Sequence, residues 1–152
     1  MGFAGKAFVG VIAAGGVAVG AVMLVPKTGE LRESMHRQEA AYPTGSAAKA
    51  DRKSMPAWLP DGATRVSYLM STTGGDRLLK ASLPDGKLPA GCSEGTPQGA
   101  VHLKASWFPG DIPARATARC GLYNVALVGH ELYGWQDDEV VIAARKAGQT
   151  AD

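Results

Sequence analysis

The chain has 152 residues, of which 45% are hydrophobic and 20% charged, and its formal net charge is +2. That length leaves room for one domain with appendages. Sixteen basic against 14 acidic residues give no broad basic field, so nucleic acid is not an expected partner.

The first element is an apolar run. Ala7 to Val25 (AFVGVIAAGGVAVGAVMLV) contains neither charge nor Pro, with Lys6 before it and Pro26 and Lys27 after it. As a helix it would extend about 28 Å, close to the hydrocarbon thickness of a bilayer. Residues 1–26 are therefore predicted to form a transmembrane anchor. The competing reading is a cleaved signal peptide, for which Val19 and Ala21 stand like the last residues before a cut. The run continues past that site and exceeds the usual apolar length, which favours the anchor. No Cys stands directly behind it, which excludes a lipoprotein signal. Gly16 and Gly20 lie four apart, the spacing that lets two membrane helices approach closely. They are candidate helix-packing residues.

Residues 27–56 are predicted to be a helical stalk and a flexible linker. In Lys27 to Tyr42, Leu31, Met35 and Tyr42 fall near one helical face, and Glu33 with Arg37 form an i,i+4 pair. Pro43 to Pro56 is small and polar and has no periodicity. Its Lys49, Arg52 and Lys53 are of a kind that touches anionic lipid, although such a run is more often a solvated spacer.

From Ala57 the texture changes, and residues 57–145 are predicted to be a small β-rich domain. Thr64 to Ser71 alternates Val66, Tyr68 and Met70 against polar neighbours, as a half-buried strand does. Thr72 to Asp76 is a turn, and Arg77 to Leu83 completes a hairpin. Pro84 to Gly91 is loop. Ala100 to Phe108 carries the cleanest alternation: Val101, Leu103, Ala105 and Trp107 against His102, Lys104 and Ser106. Ala114 to Cys120, Leu122 to Gly129 and Glu131 to Gln136 read as further extended pieces. Glu139 to Arg145 is a strand or a short helix, and residues 146–152 a disordered tail. Five or six short strands without a long helix predict a mainly β fold, an antiparallel sheet or sandwich behind the anchor and a short juxtamembrane helix.

Two cysteines, Cys92 and Cys120, behind a membrane or export segment fit one disulfide in an oxidising compartment. On the loop-entropy model such a bridge contributes about 3.5 kcal/mol. The alternatives are two unrelated buried thiols or a redox pair, and a redox pair would want C-x-x-C spacing. Counted by Lys and Arg alone, Lys6 against Lys27, Arg32 and Arg37 weakly favours a cytoplasmic C-terminal side. The cysteines argue for the other side. Large domains cross largely regardless of such small charge differences, so the expectation is a single-pass cell-membrane protein with its C-terminal domain extracytoplasmic.

Chemistry-bearing motifs are few. His130 and Glu131 open like the H-E-x-x-H helix of zinc proteases, but Gly134 stands where the second His must be. His36 falls in the stalk and His102 on the polar side of its predicted strand, so no metal site is expected. No G-x-S-x-G elbow or recognisable Ser–His–acid grouping occurs, so no catalytic residue and no cofactor are expected. Gln136 to Val140 (QDDEV) lacks the alternating ligands and Gly of a calcium loop and reads as a solvated turn. Trp58, Trp107 and Trp135, with Tyr68, Tyr123 and Tyr133, are candidate groove aromatics, although with so few large residues available most are expected in the core.

The stretches PAWLPDGAT, TTGGDRLLKASL, LPAGC, ASWFP and ARCGLYNVAL cover most of Pro56 to Trp135. By their texture and order, the chain resembles a type of small exported or membrane-anchored domain found in uncharacterised actinobacterial-type proteins. That resemblance implies extracytoplasmic placement and a Cys92–Cys120 bridge, and implies no activity. The expected function is a non-enzymatic domain on a membrane tether, contacting a protein partner or an envelope component. One alternative is an accessory subunit of a larger membrane complex, docked through its Gly-rich helix. The other is a small-ligand binder or enzyme using the Trp and Tyr set.

Overall fold

The structure, a computed structural model, describes residues 36–149. The predicted anchor, Gly16 and Gly20, the first part of the stalk and the last three residues lie outside that range. Among the described residues no helix is long and apolar enough to cross a membrane.

Seven strands form one antiparallel sheet: β1 (Arg37–Thr44), β2 (Thr64–Ser71), β3 (Arg77–Ser82), β4 (Cys92–Glu94), β5 (Ala118–Cys120), β6 (Tyr123–Val128) and β7 (Glu131–Gln136). Their order across the sheet is β1-β2-β3-β7-β6-β5-β4. Helices α1 (Gly45–Asp51), α2 (Ile112–Arg115) and α3 (Asp138–Lys146) complete the described elements. The mainly β antiparallel architecture therefore matches the sequence reading. It is one sheet rather than a sandwich of two.

Both faces of this sheet are covered, because its strands carry apolar residues at odd and even positions alike. On the first face Val66, Tyr68, Leu79, Leu132, Tyr123 and Val125 pack under Ala48, Met55, Leu59 and Ala63. On the second, Leu69, Leu78, Ala126 and Trp135 pack under Leu103, Ile112 and Ala116. Two neighbouring positions on one strand, such as Leu78 and Leu79, thus point into different cores.

Cys92 and Cys120 are directly opposite each other across the β4–β5 ladder and form a disulfide. The bridge ties the edge strand to the sheet and closes the 95–117 excursion that covers the second face.

Four segments depart from the sequence reading. Residues 37–44, expected as helix to Tyr42 and linker from Pro43, pair instead with β2, with Tyr42 opposite Val66. The weak helical stripe lost to a ladder that satisfies the strand's backbone groups on one side. Pro43 fits this position because an edge strand does not need every N–H. Residues 45–51, expected as linker, form α1, with Thr44 Oγ1 accepting from Ala47 N at 3.1 Å as its N-cap. Ala48 and Met55 from this stretch are buried, so the domain begins well before Ala57.

Residues 100–108 form no strand among the described elements. Their alternation is genuine, with Leu103 buried and His102 and Lys104 exposed. The segment lies over the second face with one side inward and has no ladder partner. Finally, residues 138–146 are helix, one of the two readings open for 139–145. The departure lies at 146–149, expected as disordered tail but closing that helix through Ala147 N to Ala143 O and Gln149 N to Ala144 O.

Candidate functional site

The zinc-like pair is separated into two structural duties. Gly129, with φ of 62°, and His130 form the two-residue turn between β6 and β7, where a glycine with positive φ in the first central position suits the twist of a hairpin. His130 Nδ1 lies 2.8 Å from Leu83 O. Glu131 accepts from Ser82 Oγ at 2.7 Å and Arg65 Nη2 at 2.9 Å. At Gly134 a Cβ would stand 3.3 Å from Tyr123 Cδ1. The position needed for a second His is therefore covered by a tyrosine ring.

His102 does meet carboxylates, from segments distant in sequence. Ligand-type atoms of Asp76, His102 and Asp137 all lie within 4.8 Å of one another, and His102 Nε2 is 3.3 Å from Asp137 Oδ2. The group sits at the start of α3, and three of its four carboxylate oxygens already have backbone donors. Asp137 Oδ2 accepts from Ala100 N at 2.7 Å and Oδ1 from Glu139 N at 2.8 Å. Asp76 Oδ1 accepts from Asp138 N at 3.0 Å. Asp137 is buried, and burial pushes its carboxyl upward. The two backbone donors, with His102 beside them, outweigh that and hold it below the ordinary carboxylate range. A helix N-terminus is the positive end of its dipole and disfavours an added cation. The geometry is that of a clip joining the 97–103 segment to α3, so QDDEV is a helix start rather than a solvated turn.

A cleft opens on the other side of this helix start. It holds about 280 Å³ and is bounded by residues 53–57, the β2–β3 turn, the end of β7 and α3, with Tyr123 on its floor. Gln136 Nε2 donates to Gly75 O at 2.8 Å, and Asp138 Oδ1 accepts from Gly75 N. Arg77 Nη1 donates to the carbonyls of Ser71, Gly74 and Asp76 at 3.0, 2.8 and 2.8 Å. Three turn carbonyls thus fix its guanidinium at the cleft wall. Lys53 and Arg145 stand at the rim, both exposed. None of these three cations is in an ion pair among the described residues.

Tyr123 is the unusual group. Its ring packs edge-on against Trp58, centroids 5.4 Å apart, and the residue is 3% exposed. Its hydroxyl is buried with no partner in good hydrogen-bond geometry, the Tyr68 hydroxyl lying close by. Burial pushes this phenol well above its ordinary range, and the neighbouring Tyr68 hydroxyl adds to the shift. It remains an O–H donor at any pH near neutral. The Tyr68 hydroxyl itself donates to Ser54, with O at 3.2 Å and Oγ at 3.3 Å.

The tryptophans do not form one groove. Trp58 lies on the first face with Tyr123. Trp135 is 1% exposed in the second core. Trp107 packs on that second core, edge-on to Phe108, with its Nε1 donating to Glu39. The lysine-rich linker is sorted in the same way. Lys49 pairs with Asp61, and Arg52 donates to Tyr42 Oη and Gln38 Oε1. Lys53 is left facing the cleft. Tyr123 and Lys53 were visible as candidates in the sequence. Arg77 and Arg145 were not, since nothing in the local pattern tells which segments fold beside them. Comparison with protein-family models, with curated proteins and with solved structures gives no match to this chain.

Proposed function

We propose that the chain is a single-pass, membrane-tethered protein whose domain stands on the extracytoplasmic side and acts by binding, contacting a protein partner or an envelope component. The observation that carries this reading is the Cys92–Cys120 bridge joining the edge strand to the sheet. Such bridges persist in oxidising compartments and are rare in reducing ones. The apolar run Ala7 to Val25, outside the described residues, supplies the tether by its length. Binding is favoured over catalysis because Asp137, the carboxylate beside His102, is engaged in holding the start of α3 through Ala100 N and Glu139 N.

Intact mass of the membrane-extracted full chain, alkylated with and without reductant, tests this. The expected mass is that of the uncleaved chain, with no alkylation before reduction and two additions after it. Free thiols in the unreduced protein, or a mass lacking the N-terminal run, would overturn it.

A further inference from the structure

The cleft between residues 53–57, the β2–β3 turn and α3 is positively charged around an unused buried donor. Lys53, Arg77 and Arg145 come from three separate segments and all line it, as does Tyr123, whose buried hydroxyl has no partner in good hydrogen-bond geometry. A buried hydroxyl left unsatisfied costs stability, and one that lines a cationic cleft is available to an acceptor that arrives from outside. No carboxylate lines the cleft among the described residues, and Asp138 behind its wall has Oδ1 held by Gly75 N. We infer that this cleft binds a phosphate monoester group, with Arg77, Lys53 and Arg145 countering its charge and the Tyr123 hydroxyl donating to one of its oxygens.

The donor set suits that group. Phosphate offers several acceptor oxygens and up to two negative charges near neutral pH, and charge-assisted hydrogen bonds to it are the strong kind. Arg77 is already oriented by three carbonyls, so little side-chain freedom is lost on binding. A cleft of about 280 Å³ has space for the phosphate and a small attached moiety, and its open rim admits either a free metabolite or a lipid headgroup. The inference holds wherever the domain stands and does not depend on the tether.

The test uses the purified full chain in a neutral detergent. Binding of inorganic phosphate is measured by calorimetry and by the shift in unfolding midpoint, against chloride at equal ionic strength. Dioctanoyl phosphatidic acid and dioctanoyl phosphatidylcholine form a second pair of probes. Phosphate is expected to bind and to raise the midpoint where chloride does not. A tenfold preference for phosphatidic acid over inorganic phosphate identifies a headgroup, and comparable affinities identify a free phosphorylated compound. Tyr123→Phe and Arg145→Ala should each weaken binding about tenfold. Tyr123→Phe should leave the phosphate-free midpoint unchanged or higher, which separates lost binding from lost folding. A wild-type response to phosphate no larger than to chloride, or wild-type affinity in both variants, would overturn the inference.

Discussion

Trp135 and His130 stand five residues apart, and their side chains contribute very differently to stability. Trp135 is 1% exposed among Leu69, Leu78 and Ala126. Truncating a buried aromatic to Ala costs about 3–5 kcal/mol. Its indole Nε1 has no partner, so no hydrogen bond is lost with the ring, and Trp135→Ala should fall toward the lower end of that range. His130 is exposed, makes one side-chain hydrogen-bond contact, to Leu83 O, and lays its ring against Gly86. His130→Ala should cost less than about 1 kcal/mol. Urea unfolding of the two variants checks the contrast, and equal losses would mean that the turn matters more than the core beside it. The incompleteness of the zinc-like motif was legible from Gly134 alone, because the motif is a local pattern. The Tyr123 ring that requires Gly134 was not, because it crosses from the neighbouring strand.

Asp137 allows a second argument about one side chain. Its native carboxyl lies below the ordinary range, so its contribution is fully present above that range, which begins near pH 4. The contribution is lost as pH falls through the native value, because the unfolded chain then binds the proton more readily. Asp137→Asn keeps a good N-cap but removes the titration. The expected result is a shallower loss of stability below about pH 4 than in the wild type, measured by urea midpoints across pH 2.5–6. Identical slopes would remove Asp137 from the acid response.

Among the elements, α3 and the 97–108 segment show what alternation and polarity report and what they omit. Alternation in Ala100 to Phe108 correctly identified which side chains turn inward, Leu103 above all. A strand requires a hydrogen-bonded neighbour as well, and periodicity carries no information about one. The acidic run before α3 contained an N-cap and first-turn acids, a helix signal obscured by the β-branched valines that follow. The two elements depend on each other at Gly99. Its φ is +78°, and a Cβ there would lie 2.4 Å from Asp137 Oδ2 and 2.6 Å from Asp137 Cβ. Gly99→Ala combines left-handed strain of about 1–3 kcal/mol with expulsion of the carboxylate that caps α3. The variant should melt earlier than Asp137→Asn and become cleavable by protease within 97–108. Resistance to cleavage equal to the wild type would show that the segment is held by its apolar contacts alone.

For the whole molecule, the domain boundary is the instructive disagreement. Composition placed the domain start near Ala57, because residues 43–56 are small, polar and aperiodic. Small residues serve equally well in a linker and under a close-packed helix, and sequence texture does not separate the two. Here Ala48 is fully buried, Met55 nearly so, and Gly45 N donates to Ala63 O at 2.8 Å. The same 37–56 stretch supplies the edge strand, the lid of the first core and one wall of the cationic cleft. A chain beginning at Ala57 would expose Val66, Tyr68 and Leu79 on the first face and leave β2 as an unpaired edge. At about 25 cal/mol per Å² of apolar surface, uncovering even a few such side chains is comparable with the whole stability of a small domain. That chain is expected to lose cooperative unfolding, or to aggregate, with its disulfide intact. A chain beginning at His36 should unfold in one transition. Calorimetry of the two decides the matter, since a cooperative transition from the shorter chain would return residues 37–56 to the role of a stalk.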